Sequence, residues 1–238
     1  MLCRGNYRFF GYPLWLLAGI AALPATEAVA QDAAAAFFCG RTITITVGFG
    51  PGGSYDYYPR VFSRFIGRYI PGNPTVFVQN MPGAGSLTAA NHLYNVTPKY
   101  GTQLGVVTQT LMLEGPFGTP GVKFNAVEFS YICLTGVLEA MVVWHEAKAK
   151  SIHDIREIET IAGGNGSTSV TEGYPRMLNA FAGTKFKIVS GYNAIPQLML
   201  AMERREIDAA ESSWASIVRN NKHWLIDKKI HVLVQSHS

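Results

Sequence analysis

The hydrophobic pattern after residue 40 alternates between short runs rich in β-branched residues and longer stretches with apolar residues at helical spacing. Thr42–Phe49, Thr75–Gln79 and Leu104–Thr108 have the first pattern, which is typical of strands. Tyr57–Tyr69 and Gly85–Val96 have the second pattern and are expected to form helices. This strand–helix–strand–helix–strand order predicts a parallel sheet covered by helices.

The segment Thr110–Ala140 interrupts the alternation and contains the turn-rich sequence GPFGTPG at 115–121. Strands are expected at Tyr131–Thr135 and Ala140–Trp144, and a short helix at Ser151–Glu157. A second strand–helix series follows, so the expected fold class is α/β with two halves, which the first segment connects. The remaining expected strands are Glu159–Ala162, Lys185–Ser190, Ile207–Ala209 and Ile230–Gln235, and the remaining helices are Ser167–Phe181, Ala194–Arg204 and Trp214–Asn221.

The first thirty residues have the features of a secretory signal peptide. Arg4 and Arg8 precede an apolar run, Pro13–Leu23, which is too short for a typical membrane span. The small residues Ala28 and Ala30 fit a signal-peptidase site, so we expect cleavage after about Ala30 and export to the periplasm. An uncleaved N-terminal membrane anchor is the less favoured alternative, because the run is short and a cleavage site follows it.

The composition excludes several classes of protein. The chain has 238 residues and a net charge of +4, without blocks of like charge, so no nucleic-acid partner is expected. The small positive balance suits an anionic small ligand. Cys39 and Cys133 remain after signal cleavage; export permits a disulfide, but the sequence cannot show that the two meet. Neither cysteine has metal-ligand spacing, and no cofactor is expected.

Three glycine-containing loops each lie between a predicted strand and a predicted helix. We call Gly50–Asp56 the first loop, Asn80–Ser86 the second loop and Gly163–Ser169 the third loop. Ligands of open α/β sheets bind beyond the carboxyl ends of strands, where free helix N–H groups favour anions. In the first loop, Ser54 can either donate its hydroxyl to a carboxylate or, like Asp56, simply cap the helix.

Catalytic alternatives are weaker. The sequence Gly48–Gly53 matches G-x-G-x-x-G, but Pro51 removes an N–H that would hold a pyrophosphate. The next strand ends at Asn80, without an acidic residue for a ribose hydroxyl, which argues against a Rossmann-type oxidoreductase. No G-x-S-x-G or H-E-x-x-H motif occurs, so we do not expect an enzyme. Glu211 to Trp214 follow a predicted short strand and can reach a cleft, although a helix cap explains the serines equally well.

The first loop with its flanks, VGFGPGGSYD at 47–56, resembles the first-loop signature of the tripartite tricarboxylate transporter receptors, the TctC or Bug family. The sequence QNMPGAGS at 79–86 is similar to that family's second signature, and PKYG at 98–101 to its usual turn, with Tyr100 in place of Asp. The resemblance implies a two-lobed, type II periplasmic binding protein that closes on its ligand like a flytrap. It implies a monomer that delivers a small carboxylate to membrane permease subunits and performs no chemistry.

The resemblance also implies domain bounds and site residues. We expect a signal peptide at 1–30, lobe 1 at 41–138 and lobe 2 at 139–238. Family members usually continue beyond the position of Ser238 and return to lobe 1, so lobe 1 is expected to be incomplete. The candidate ligand-binding residues are Gly53, Ser54, Tyr55, Asp56, Ala84, Gly85, Ser86, Gln109, Ser167, Thr168 and Ser169.

Two other roles remain open at this stage. The same fold can present a liganded lobe to the periplasmic domain of a sensor kinase, and the sequence does not separate sensing from transport. A non-functional gene fragment is the other alternative, and it predicts an aggregating or protease-sensitive product. The identity of the carboxylate is likewise beyond the sequence, because backbone N–H groups report an anion and not the rest of the molecule.

Overall fold

In the computed structural model, residues 33–134 and 136–237 are described, and they form two sheets with helices packed against them. The expected signal peptide lies outside the described residues. In chain order the strands are β1 (Thr42–Val47), β2 (Thr75–Asn80), β3 (Gln103–Val106), β4 (Leu138–Trp144), β5 (Thr160–Gly164), β6 (Phe186–Ser190), β7 (Ala209–Ser213) and β8 (Ile230–His237). The helices are α1 (Ser54–Ile66), α2 (Leu87–Asn95), α3 (Leu111–Glu114), α4 (Ile152–Glu157), α5 (Val170–Ala182), α6 (Ile195–Glu203), α7 (Trp214–Asn220) and α8 (Lys222–Ile226).

The first sheet has the order β2-β1-β3 and is parallel throughout, as the alternation of strands and helices predicted. Its central strand β1 is apolar and buried at Ile43, Ile45 and Val47. Val47 pairs with Asn80 of β2 and Val106 of β3, so the carboxyl ends of all three strands lie at one edge. The first two loops leave the sheet from that edge.

The second sheet has the order β6-β5-β7-β4-β8. Strands β5, β6 and β7 are parallel to one another, whereas β4 runs antiparallel to both β7 and β8. Strand β4 is buried on both faces: Ala140 and Val142 contact one apolar cluster, and Met141 and Val143 contact the other. This double burial explains why β4 reads as a continuous apolar run in the sequence.

Two tryptophans pack against each other in the larger apolar cluster. Trp144 and Trp224 make an edge-to-face contact with ring centroids 5.1 Å apart. The indole N–H of Trp224 donates to the carboxylate of Glu203 at 2.9 Å, so this polar group is satisfied although the side chain is buried. The arrangement fixes α8 against the end of α6.

The structure differs from the sequence-based expectation at two strands. The strand expected at Tyr131–Thr135 is wrong for the described residues 131–134, which are irregular, exposed and unpaired with any strand in the described part of the chain. The strand expected at Ile207–Ala209 lies instead at Ala209–Ser213, because pairing with β4 extends to Ser213. The short helix expected at Ser151–Glu157 is present as α4, which Ser151 caps in a capping box with Asp154.

The contact of Trp224 predicts a large stability effect. Trp224→Ala removes a fully buried ring and is expected to lower the free energy of unfolding by about 3–5 kcal/mol. Chemical denaturation followed by circular dichroism measures this change. Phe181→Ala is the control, because that side chain is 88% exposed and its loss should change stability by less than about 0.5 kcal/mol. Equal effects of the two substitutions would contradict the packing described here.

Candidate functional site

The first loop ends at the N-terminus of α1. Gly53 occupies the N-cap with extended backbone and no side-chain cap, so of the two roles left open for Ser54, helix capping is not observed. Hydrogen bonds within the helix begin at Asp56 and Tyr57, whose N–H groups donate to Gly53 O at 3.2 and 2.9 Å. The amides of Gly53, Ser54 and Tyr55 therefore have no partner within the helix, and they lie at its positive end.

Asp56 holds the first loop in place. Its carboxylate accepts hydrogen bonds from Gly52 N–H at 3.0 Å, Arg60 at 2.9 Å and Asn80 at 2.8 Å. Burial alone would raise the pKa of Asp56, but these hydrogen bonds outweigh burial and lower it. Because Asn80 also donates to Phe49 O at 2.9 Å, the loop is tied to the end of β2.

The third loop leads into α5 in the same way. Ser169 is the N-cap, and the helix's own hydrogen bonds begin at Glu172 and Gly173, whose N–H groups donate to Ser169 O. The Glu172 carboxylate accepts from Gly166 N–H at 2.9 Å and from Arg176 at 2.8 Å. The amides of residues 170 and 171 are thus left without a partner inside the helix.

The two helix starts share a sequence pattern as well as a geometry. Each helix has an acidic residue at its third position, which holds the preceding loop and pairs with an arginine four residues later. The corresponding sequences are Asp-Tyr-Tyr-Pro-Arg at 56–60 and Glu-Gly-Tyr-Pro-Arg at 172–176. Sequence reasoning missed this internal similarity, which is the signal that marks α5 as the counterpart of α1.

The second and third loops contact each other across the two halves. The Thr168 hydroxyl donates to Ala84 O at 2.6 Å, with Gly85 O at 3.0 Å, and Thr168 O accepts from the Thr110 hydroxyl at 2.9 Å. The Ser86 hydroxyl accepts from Thr108 N–H at 2.9 Å. The predicted residues of these loops therefore join the halves to each other and fix the end of β3.

The first loop also touches the second half. Gly50 N–H donates to Asn193 O at 2.9 Å, and the side chains of Arg219 and Asn220 donate to Gly52 O. A Cβ atom at Gly50 would lie 2.7 Å from the Ala194 side chain, which is closer than real Cβ contacts. The two halves are thus closed on each other, and glycine permits the close approach at this point.

A small buried cavity lies between the halves at these helix starts. Its volume is about 20 Å³, which is room for a single water molecule. None of its lining side chains is a lysine, an arginine or a histidine. The residues that line it are Phe49, Gly50, Gly53, Ser54, Tyr55, Glu139, Asn165, Val170, Thr171, Ile195, Glu211 and Ser213.

Two acidic side chains, Glu139 of β4 and Glu211 of β7, meet at this cavity. They lie diagonally on one face of the sheet, because Glu139 pairs with Ser213 and Met141 pairs with Glu211. Their exposed fractions are 3% and 1%. Burial raises the pKa of both carboxyl groups, and the charge of Glu139 adds to the rise at Glu211, whose pKa lies well above its usual value.

The acid pair has no basic partner. Among the described residues, no lysine, arginine or histidine forms an ion pair with either carboxyl group. The two carboxyl groups are hydrogen-bonded to each other, and Glu211 Oε1 accepts from no other group in the described part of the chain. Burial and the charge of Glu139 also raise the pKa of Tyr55 to about 12, although its hydroxyl is hydrogen-bonded to the Gln109 main chain and the Thr108 side chain.

The predicted site residues thus fall into two groups. Gly53, Ser54 and Tyr55 line the cavity, whereas the others do not. Asn165 also lines it and lies in the third loop, although it was not among the candidate residues. Glu139 and Thr171 line it without having been predicted; a single glutamate within the apolar run of β4 was the signal for the first of them. The predicted residues outside the lining are Asp56, Ala84, Gly85, Ser86, Gln109, Ser167, Thr168 and Ser169.

Neither a membrane span nor a metal cluster is found in the described ranges. Within residues 33–134 and 136–237, no helix has the length and hydropathy needed to cross a bilayer. In the same part of the chain, no three metal-ligating side chains come together. Cys39 and Cys133 are both exposed and free.

No protein-family model matches the chain, and no curated protein sequence does either. Solved structures are similar to it. The periplasmic binding protein BugD has a TM-score of 0.67 and 16% identity, covering 82% of this chain and 65% of BugD. MatC from Rhodopseudomonas palustris, solved with bound malate, has a TM-score of 0.66 and 18% identity, covering 82% and 66%. Rpa4515 from R. palustris, solved with adipate, has a TM-score of 0.64 and 14% identity, covering 82% and 65%.

These similarities confirm the predicted fold, a two-lobed α/β architecture of the kind found in periplasmic binding proteins. We call the part that contains the first sheet the first lobe and the part that contains the second sheet the second lobe. The chain spans 65–66% of the length of these proteins. Because these proteins have low sequence identity to this chain, the comparison establishes its architecture alone.

The acid pair predicts an unusual dependence of stability on pH. The folded state holds the Glu211 proton more tightly than the unfolded state, so the free energy of unfolding falls as pH rises above the ordinary value of 4.5. Glu211→Gln removes this penalty and is expected to melt at a higher temperature than the parent protein at neutral pH, and at a similar temperature near pH ~4.

Thermal melts across this pH range measure the difference. Glu157→Gln is the matched control, because it removes the same charge from a side chain that is 83% exposed. A Glu211→Gln variant that melts lower than the parent at neutral pH would show that the Glu211 carboxylate is stabilising, contrary to this prediction.

Proposed function

We propose that this protein is a periplasmic solute-binding receptor that captures a small carboxylate between its two lobes. One observation carries the proposal: a helix N-terminus from each lobe lines the same buried cavity. Each helix start leaves amides without intrahelical partners, and both lie at the positive end of a helix dipole. An anion between them would satisfy donors from both lobes at once.

In this proposal the ligand carboxylate accepts hydrogen bonds from the amides of residues 53–55 in the first lobe. The amides of Val170 and Thr171 approach it from the second lobe. Ser54 lines the same space, and its hydroxyl can add a donor. The Thr171 hydroxyl is already committed, because it donates to Asn165 Oδ1 at 2.7 Å. Because the surroundings are buried, such charge-assisted bonds are stronger than they would be in water.

Ligand capture requires the lobes to open. A cavity of about 20 Å³ is too small for an organic acid, so the ligand would enter an open form and become enclosed by hinge closure. The backbone hydrogen bond between Gly50 and Asn193 would form as the lobes close, as would the hydrogen bond from the Thr168 hydroxyl to Ala84 O. A ligand that touches both helix starts favours the closed form, because only there can it use both sets of donors.

The comparisons support this proposal in a specific way. The solved structures of similar fold include one with malate and one with adipate, both of them dicarboxylates. We extend this to the present chain by proposing export to the periplasm, cleavage after about Ala30 and delivery of the ligand to a permease of the tripartite tricarboxylate type. Transport of the ligand by the complete receptor and permease is part of the same proposal.

Calorimetric titration of the purified protein with organic acids tests the binding role. The panel includes succinate, malate, adipate, citrate, benzoate, aspartate and alanine, and at least one carboxylate is expected to bind and raise the melting temperature. A cooperative melt without ligand shows that the sample is folded. If the folded protein binds no carboxylate of the panel, the proposed function is wrong.

Gly50→Ala tests closure separately from ligand contact. The added methyl group meets Ala194 of the second lobe, so the lobes cannot close fully, and ligand affinity is expected to fall about tenfold or more. Stability should change little, because Gly50 does not have left-handed backbone geometry. Gly173→Ala is the control: its Cβ meets open space, and affinity should be unchanged. Equal affinities in both variants would exclude closure at this contact.

A further inference from the structure

The cavity between the lobes has hydrogen-bond donors on one part of its lining and acceptors on another. One part is formed by the starts of α1 and α5, whose amides offer hydrogen-bond donors. Another part is formed by Glu139 and Glu211, whose carboxyl oxygens offer acceptors. The remaining lining is largely apolar and includes Phe49, Val170 and Ile195. A complementary ligand therefore has an anionic group, a donor group and little bulk between them.

The acid pair is unsuited to a second carboxylate. Two carboxyl groups already lie together there without a basic neighbour, so another negative charge beside them would be repelled at short range in a buried setting. The two carboxyl groups are hydrogen-bonded to each other. Glu211 Oε1, on a side chain that is 1% exposed and lines the cavity, accepts from no other donor among the described residues, so a ligand can supply one. A buried acceptor without a partner is costly, and a ligand that supplies the donor removes this cost.

The other titratable side chains near the acid pair are tyrosines, which cannot neutralise its charge. Tyr55 of α1 lines the cavity, and Tyr174 of α5 lies close enough for both glutamates to raise its pKa, after burial. The Tyr174 hydroxyl is engaged with Ser236 of β8. Because none of the residues that line the cavity is basic, a positive group beside the pair would be supplied by a molecule that enters the cavity.

We infer that the ligand is a small amino acid, with its carboxylate at the two helix starts and its ammonium group at Glu139 and Glu211. This inference rests on the proposed function and narrows its substrate class. An ammonium group supplies up to three donors, which matches two adjacent carboxyl groups. In the ligand-free protein the two glutamates share a site where both cannot easily be charged; the ammonium group permits both to ionise.

Matched ligands test the inference. Aspartate, malate and succinate share a four-carbon diacid skeleton and differ in an ammonium group, a hydroxyl group or neither. Alanine, lactate and propionate differ in the same way on a three-carbon skeleton. Titration calorimetry at neutral pH is expected to show that the amino member of at least one series binds about tenfold more tightly than its hydroxy analogue.

Two isosteric variants assign this preference to the acid pair. Glu139→Gln and Glu211→Gln are each expected to reduce the preference for the amino member about tenfold, while the hydroxy acid binds equally well or better. Glu157→Gln should retain the full preference, because its side chain is 83% exposed in a part of the surface away from the cavity lining. Melting curves confirm that the variants are folded.

The outcomes separate the inference from the proposed function. If a hydroxy or unsubstituted acid binds as tightly as its amino counterpart in both series, the amino-acid inference is wrong and carboxylate capture stands. A preference that persists in both glutamine variants also overturns the assignment to the acid pair. If no member of either series, nor any other carboxylate, binds to the folded protein, both proposals fail together.

Discussion

The first turn of an α-helix leaves its amides without intrahelical partners, and this chain places two such turns at one cavity. The order of the strands and loops around the cavity brings these two helix starts together. Parallel β1, β2 and β3 end at one edge, which puts the first two loops next to each other. The second sheet brings the third loop to the same place from the other lobe. Burying the donors of both helices is favourable when an acceptor lies between them, and this requirement underlies the proposed binding role.

Each of these helix starts is held by an acidic side chain of its own. Asp56 and Glu172 bind the loops before them and pair with arginines one turn later. Their carboxylates are therefore committed to backbone geometry, in contrast to Glu139 and Glu211, which face the cavity without a basic partner. These four acids thus divide into two that hold the helix starts and two that line the cavity.

Sequence patterns predicted the first sheet well, because its strands are apolar β-branched runs and its loops carry glycine. They failed at β7, where Ala-Ala-Glu-Ser-Ser has no strand pattern and only pairing with β4 and β5 makes it a strand. They found the first loop of the proposed site but not Glu139, because the contact with Glu211 depends on antiparallel register between strands far apart in the chain. Local composition reports helix starts and turns, whereas that register is decided by tertiary packing.

The contacts that join the lobes bear on how the sequence of such a protein can evolve. Gly50 meets Asn193 through main-chain groups, and the Thr168 hydroxyl donates to the main chain of Ala84. The chemistry facing the cavity resides instead in a few side chains on β4, β7 and the helix starts. The contacts that hold the lobes together are therefore made largely by other groups than the side chains proposed to select the ligand. If the proposed function holds, a lineage can exchange the side chains that recognise one solute for those that recognise another and keep the same contacts between the lobes.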